Sequence, residues 1–322
     1  MNPGIREETA LASRPRGLHL EAFDEPLNDQ DYLDAVLALS FDDVSWSPDQ
    51  IRAVRDLLCP WHHNIRLADG INTAHVPDYY PSHREMVEVI DHALPAGFEG
   101  IRIVDIGCLE GYFSAEFALQ GAKVTGVEGR ALNVQKCEFV KSVLGLRNVR
   151  FVQDDAMHVT RARYGSFDVV LAAGLIYHLR DPFTFLENVA GLCSGFTVID
   201  TLTALEDQPA SICEGWRPEL SELMDFSHRG RTYGGRLFRE FEDHAPTTAK
   251  ELSPTASLDN ELSIWLTEEA LVQLLHDVGF EQVTKLVYPR RSDVWWADTG
   301  KDGRVLLVAA KRRKTFRSRI FD

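Results

Sequence analysis

The chain predicts an α/β fold, with a largely parallel sheet and helices on both faces. Three observations carry this reading. Short apolar runs alternate with helical stretches through residues 98–200. A glycine turn, Val104-Asp-Ile-Gly-Cys-Leu-Glu-Gly111, joins the first run to a helix. An acidic residue, Glu128, ends the next run 23 positions after Asp105. Together they build a nucleoside-binding crevice at the carboxyl edge of a parallel sheet.

Each element has its own signal. Ile101–Ile106 is apolar enough to be buried on both faces. Gly107 and Gly111 bracket the turn into a helix that runs to about Gln120, whose free N–H groups face the crevice. Ala122–Glu128 is the second strand, and Glu128 can accept two hydrogen bonds from a ribose diol. Asn148–Gln153 is the third, followed by Asp154-Asp155-Ala156, where a carboxylate can meet an adenine amino group. Phe167–Ala173 is the fourth, ending in small residues Ala172-Ala173-Gly174 that keep the crevice open. Asp181 caps the next helix with Pro182 at its first position, and Phe196–Asp200 is the fifth strand.

Before this core, Asp31–Ser40 and Pro48–Leu58 read as amphipathic helices, the second capped by Ser47, and Ser82–Leu94 as a third. After it, a helix starts at Thr267 and ends near Gly279, and Phe280–Tyr288 and Arg304–Lys311 read as the last strands. The chain therefore divides into a mobile start (1–17), an N-terminal helical lid (18–97) and a core (98–200 and 263–311). An insertion after the fifth strand (201–262) and a basic tail (312–322) complete it. The insertion is far longer than the ~2–6 residues usual for such a connection.

The turn also discriminates between cofactors. A dinucleotide site shows Gly-x-Gly-x-x-Gly. Here Cys108 follows the first glycine, and Asp105 places a carboxylate where a pyrophosphate is repelled and an ammonium welcomed. S-adenosylmethionine has an amino-acid tail and no phosphate, so the pattern favours it over NAD.

The chain resembles the class I S-adenosylmethionine-dependent methyltransferases. The residues that carry the resemblance are Asp105–Gly111, Glu128, Asp154-Asp155-Ala156 and Phe167–His178. It implies a Rossmann-like sheet of seven strands with the last antiparallel. It also implies a cofactor site of Asp105, Gly107, Cys108, Gly111, Tyr112, Glu128, Gly129, Asp154, Asp155, Ala156, Ala173 and Gly174. Asp105 and Gly107 would meet the methionine tail, Glu128 the ribose and Asp155 the adenine. Cys108 departs from the glycine of many relatives. A narrower stretch, Leu175-Ile-Tyr-His-Leu-Arg-Asp-Pro182, is similar to the tRNA wobble-uridine carboxymethyltransferase family and its relatives, as is Pro60-Trp-His-His-Asn-Ile-Arg-Leu-Ala-Asp-Gly-Ile-Asn-Thr73. The basic residues expected to hold a carboxymethyl group are absent, so ordinary methyl transfer is the expectation.

Methyl transfer is an in-line displacement in which the protein aligns the nucleophile and removes its proton. His titrates near neutrality. His178, just beyond the fourth strand, is the first candidate base, with His228 and His63 as the others, and Tyr177 shapes the pocket. Substrate contacts are expected from Trp61 in the lid and from Arg229, Arg231, Tyr233 and Arg236 in the insertion, which also holds Trp216, Asp225, Phe226 and His244. Asp200, Asp225 and His228 are too few to make a metal site, so no metal is expected.

Net charge of −15 argues against a broad nucleic-acid surface, excludes DNA as the expected partner and ranks RNA below a small molecule. The basic tail Lys311–Arg319 is the exception. No apolar run reaches the ~18 residues that span a membrane. The start of the chain lacks an apolar leader, and the five cysteines have no spacing that suggests a disulfide framework or zinc site. A cytoplasmic enzyme, monomer or homodimer, acting on O or N of a small polar or secondary-metabolite substrate is the resulting expectation. The alternatives are modification of a tRNA wobble uridine, and a cofactor-binding regulatory protein without catalysis.

Overall fold

The computed structural model describes residues 28–74, 81–94, 96–206, 220–242, 245–253, 256–286 and 303–311. Residues 1–17, Trp216, His244 and the tail 312–322 lie outside them. In chain order the elements begin with α1 Asp29–Leu37, α2 Pro48–Leu57, β1 Arg66–Ala68, β2 Ile71–Asn72 and α3 Pro81–Ala93. Then come β3 Arg102–Ile106, α4 Tyr112–Leu119, β4 Lys123–Glu128, α5 Ala131–Val143, β5 Val149–Gln153, α6 Arg161–Tyr164 and β6 Phe167–Ala173. The chain continues through α7 Pro182–Leu192, β7 Cys193–Leu202, β8 Met224–His228, β9 Arg231–Arg239 and α8 Thr247–Glu251. It closes with β10 Leu262–Leu266, α9 Glu268–Asp277, β11 Gln282–Leu286 and β12 Arg304–Ala310.

The seven-stranded sheet has the order β11-β12-β7-β6-β3-β4-β5. Strands β3 to β7 pair in parallel, whereas β12 runs antiparallel to β7 and to β11, as expected. Side-chain alternation sorts the two faces. Ile103, Val169, Leu171, Phe196, Val198, Leu306 and Val308 enter one core with Phe113, Phe117 and Phe139. Val104, Ile106, Val170, Ala172, Ile199, Val305 and Leu307 enter the other with Leu186, Val189, Leu271 and Leu274. Both faces are buried, which is why these strands read as continuous apolar runs rather than alternating ones.

The capping signals explain where helices start. Ser47 closes a capping box with Gln50 on α2, Asp181 accepts from Thr184 N at α7, and Thr267 accepts from Ala270 N at α9. Strand β7 runs on to Leu202, past the expected end at Asp200, because it keeps pairing with β12 to Arg304.

The insertion folds as its own three-stranded antiparallel sheet, β10-β9-β8. Its hairpin turn is Arg229-Gly230, both with positive φ (49° and 77°), the pattern of a two-residue turn that matches strand twist. Strand β10 pairs along its whole length with β9, so the expected boundary between 262 and 263 falls inside a strand. Trp265, fully buried, donates from Nε1 to the Tyr177 carbonyl at 2.9 Å, and Ile264 N donates to Leu179 O at 2.9 Å. These bonds dock the small sheet against the turn after β6.

Candidate active site

A cavity of about 1210 Å³ opens at the carboxyl ends of β3, β4, β6 and β7. Asp105, Gly107, Cys108, Glu128, Gly129, Asp154, Asp155, Ala156, Ala173 and Gly174 all line it, as do His63, Tyr177 and His178. The expected cofactor residues are thus gathered in one place, except Gly111 and Tyr112, which shape the loop behind it.

Asp105 is buried and accepts from Ser114 Oγ at 2.8 Å. Burial pushes its carboxyl up to about 6, against the pull of the Ser114 bond. Glu128 is also buried and pushed up by burial, opposed by the Arg130 and Leu109 N–H groups and Asn133. Its Oε2 accepts from Leu109 N at 3.0 Å, and its Oε1 from Arg130 N at 3.0 Å.

Gly107 has φ 73°, and a Cβ there would sit 3.1 Å from Leu175 Cδ1. Gly111 has φ 81° and starts α4 tight against Phe151 and Cys137. The departure from an all-glycine turn has its structural consequence at Leu109, not at Cys108. Leu109 has φ 51°, the conformation that glycine adopts without cost, and its N–H is the one that reaches Glu128. Cys108 is simply a small buried residue, with its Sγ 4.0 Å from that of Cys137. The sequence spacing gave no hint of this proximity; both remain thiols.

The two aspartates after β5 divide their work. Burial would push Asp154 up, but bonds from Tyr164 and His158 and the Arg163 charge bring it below the usual range. Asp155 caps a single 3₁₀ turn through Met157 N at 2.8 Å while lining the cavity.

His178 and Tyr177 lie in a 3₁₀ turn after β6, with ring centroids 4.1 Å apart. Both line the cavity. His178 Nδ1 sits 2.8 and 3.0 Å from the two oxygens of Glu240. A carboxylate only accepts, so Nδ1 carries the hydrogen and Nε2 is left as the basic nitrogen. Glu240 is itself anchored: Ser263 Oγ donates to Oε1 at 2.8 Å and Ser257 N to Oε2 at 3.0 Å. Glu240 stands just after β9 and was missed from sequence, because no local pattern links it to His178.

His63 has a different surrounding. Its ring stacks on Tyr112 with centroids 5.4 Å apart and meets His83 at 4.8 Å. The backbone N–H groups of His62 and His63 donate to Glu110 at 2.7 and 2.8 Å, and Lys136 Nζ lies 3.3 Å from the same carboxylate. His63 Nδ1 is 3.2 Å from Glu110 Oε2 but off line for a hydrogen bond. Burial first, then the neighbouring His63, lowers His62 to about 4, and burial also holds His83 well below the usual imidazole range. His62 and His83 therefore line this part of the cavity as neutral imidazoles.

The expected substrate residues are placed elsewhere. Trp61 packs on Phe139 and donates to Arg55 O at 2.8 Å. Arg229 and His228 both bond Glu187, and the His228 ring stacks on Phe183. Arg231 and Tyr233 both bond Asp277. Arg236 gives its donors to the carbonyls of Leu205, Ser221 and Glu206. None of these residues lines the cavity. Its walls instead include Leu202, Phe238 and Glu240, and the bidentate pair Asp200–Arg304. Asp200 and His228 are thus both engaged by other side chains, and no group of three His, Cys, Asp or Glu able to hold a metal occurs among the described residues. No helix among them is long and apolar enough to cross a membrane.

Comparison with known proteins gives the family and the fold. The chain is 23% identical over 211 residues to a tRNA U34 carboxymethyltransferase of Helicobacter hepaticus, covering 60% of this chain and 63% of that protein. It is 37% identical over 110 residues to a ubiquinone biosynthesis O-methyltransferase of Rhodopseudomonas palustris, covering 32% and 41%. The chain therefore spans less than two thirds of either relative. The crystal structure of the N-terminal domain of EvdMO1 in the presence of SAH and D-fucose has the same fold, with a TM-score of 0.61 and 24% identity over 83% of this chain and 98% of that one. A family model described as a methyltransferase domain matches residues 79–285, most of the chain, and the protein belongs to that methyltransferase family.

Proposed function

We propose that the protein transfers a methyl group from S-adenosylmethionine to a hydroxyl of a small polar molecule, with His178 as the base. One observation carries the reading: the buried carboxylates Asp105 and Glu128 and the His178–Glu240 pair line a single cavity. Its volume, about 1210 Å³, accommodates a nucleoside cofactor and a second small molecule together.

The residues present fit that cofactor. Asp105 suits an ammonium group, Glu128 a ribose diol and Asp155 an adenine amino group. The relative solved with SAH has the same fold and supports the choice. When bound, S-adenosylmethionine supplies a methyl carbon on a positively charged sulfur, which leaves as a neutral thioether. His178 Nε2 takes the proton of the acceptor hydroxyl, and the Glu240 carboxylate stabilises the resulting imidazolium. Tyr177, Leu202 and Phe238 offer an apolar wall beside it, and Asp200–Arg304 a polar one.

A hydroxyl acceptor agrees with two relatives, one named as an O-methyltransferase and one solved with D-fucose present. The RNA reading draws on the carboxymethyltransferase relative, and the net charge of −15 opposes it. A cytoplasmic setting accords with Cys59, Cys108, Cys137 and Cys193, all free thiols.

Binding should depend on pH through Asp105. Its raised value, about 6, means the native state holds a proton that the unfolded chain has already lost, so this group's contribution to stability falls as pH rises from about 4 to 6. Capture of an ammonium group needs the ionised form, so cofactor affinity should rise roughly 10-fold between pH 5 and 7. Calorimetry with S-adenosylhomocysteine at both pH values measures it; flat affinity would remove Asp105 from that role.

Labelled methyl transfer from S-adenosylmethionine into a cell extract, split into RNA, protein and small-molecule fractions, tests the function itself. Label in the small-molecule fraction is expected. Label confined to RNA would overturn the substrate class in favour of the tRNA reading.

A further inference from the structure

The insertion is held over the cofactor side of the cavity chiefly by Arg130 of the core. Its guanidinium is buried and donates to three backbone carbonyls of the insertion: Lys250 at 3.0 Å, Ala256 at 3.1 Å and Ser257 at 2.6 Å. The backbone N–H of Arg130 donates to Glu128 Oε1 at 3.0 Å. Two further contacts seat the same segment. Glu251 caps α5 by accepting from Leu132 N at 2.9 Å, and Leu258 lies so close on Gly129 that a Cβ there would come within 2.8 Å of it. Residues 256–260 then line the cavity.

The segment also reaches the other half of the site. Ser257, whose carbonyl Arg130 holds, donates its N–H to Glu240, and Glu240 holds His178. A continuous run of bonds therefore joins Glu128, through Arg130 and one peptide of the insertion, to the base. A buried guanidinium spending its donors on three carbonyls fixes a loop more firmly than a single cap does.

We propose that Arg130 is a positioning residue that seats the 256–260 segment over the cofactor and, through the Ser257 N–H, sets the orientation and tautomer of His178. The proposal rests on the reading of His178 as the base beside an S-adenosylmethionine site.

The test uses the full chain labelled with ¹⁵N-histidine. The ring nitrogen shifts of His178, assigned by their loss in His178→Gln, report its tautomer with and without S-adenosylhomocysteine. Wild type with ligand should show a single Nδ1–H form. Arg130→Met should bind S-adenosylhomocysteine at least 10-fold more weakly and, at saturating ligand, show mixed or exchange-broadened His178 signals; Arg130→Lys should recover part of both. Leu258→Ala, which leaves the charge in place, should weaken binding while keeping the tautomer, and it stands in for the affinity arm if Arg130→Met does not fold, with Arg130→Lys carrying the tautomer arm. An unchanged His178 signature in the Arg130 variants at saturating ligand would overturn the proposal. Failure of the wild type to bind S-adenosylhomocysteine at all would instead overturn the functional reading beneath it.

Discussion

Replacing His178 by alanine should lower methyl transfer by about 10²–10⁴-fold while leaving S-adenosylhomocysteine binding unchanged. The loss is expected in turnover because, in the proposed mechanism, the imidazole acts on the acceptor proton and not on the cofactor. Glu240→Gln should move in the same direction. An amide can present its own N–H to Nδ1, which favours the opposite tautomer, and it removes the charge that stabilises the imidazolium. The measurement is labelled methyl transfer into the small-molecule fraction, at saturating S-adenosylmethionine. Full turnover in His178→Ala would remove it as the base.

The second large effect is on stability. Glu110→Ala should cost about 3–5 kcal/mol, because it strands a buried ammonium, the buried His63 N–H and the part-buried His62 N–H. Glu110 and Lys136 are almost wholly excluded from solvent, and among the described residues the Pro60 carbonyl, at 2.5 Å, is the other hydrogen-bond partner of Lys136. Burial alone would push the Glu110 carboxyl up. Contact with His63, the Lys136 charge and the His62 N–H draw it down to about 2 instead. A depressed carboxyl stabilises the fold fully above its unfolded value, near 4.5, and that contribution disappears as pH falls toward 2. Urea denaturation at pH 7 and pH 3 should therefore show a smaller difference between wild type and Glu110→Ala at the lower pH. An equal difference at both would mean the ion pair is not what holds the segment. The functional consequence is local: Glu110 belongs to the glycine turn, so the pair staples Pro60–His63 to the cofactor loop.

What could be read from sequence divides along the range of the interaction. The turn Asp105–Gly111, the carboxylate Glu128 and the helix starts at Ser47, Asp181 and Thr267 depend on neighbours a few residues away. Spacing alone exposes them. The pairing of His178 with Glu240 spans 62 residues, and that of His62 with Glu110 spans 48. No local pattern encodes either. Nor does a sequence distinguish an arginine that meets substrate from one such as Arg236, whose donors are consumed by backbone carbonyls, or Arg231, which is paired with Asp277. Trp61, expected as a substrate contact, instead packs on Phe139, with Lys136 Nζ 5.3 Å from its ring centroid. Leu109 shows the converse. Its glycine-like backbone was hidden in a turn where Cys108 drew the eye, and only the dihedral angle reveals which residue carries the strain.

The two halves of the site also have different origins. The sheet edge supplies Asp105 from β3, Glu128 from the end of β4 and Asp155 from the turn after β5. The insertion supplies Glu240 and the 256–260 wall, and its sheet is docked on the Tyr177–Leu179 turn by Trp265 and Ile264. On the proposed reading, acceptor chemistry is built on the part of the chain that departs from the repeating pattern.

Isothermal titration of the full chain with S-adenosylhomocysteine tests the cofactor assignment most directly. Wild type should bind one equivalent. Glu128→Ala should bind about 10- to 100-fold more weakly, the loss expected on removing a charged acceptor from a buried hydrogen bond. No heat of binding in the wild type, or equal affinity in the two proteins, would contradict it.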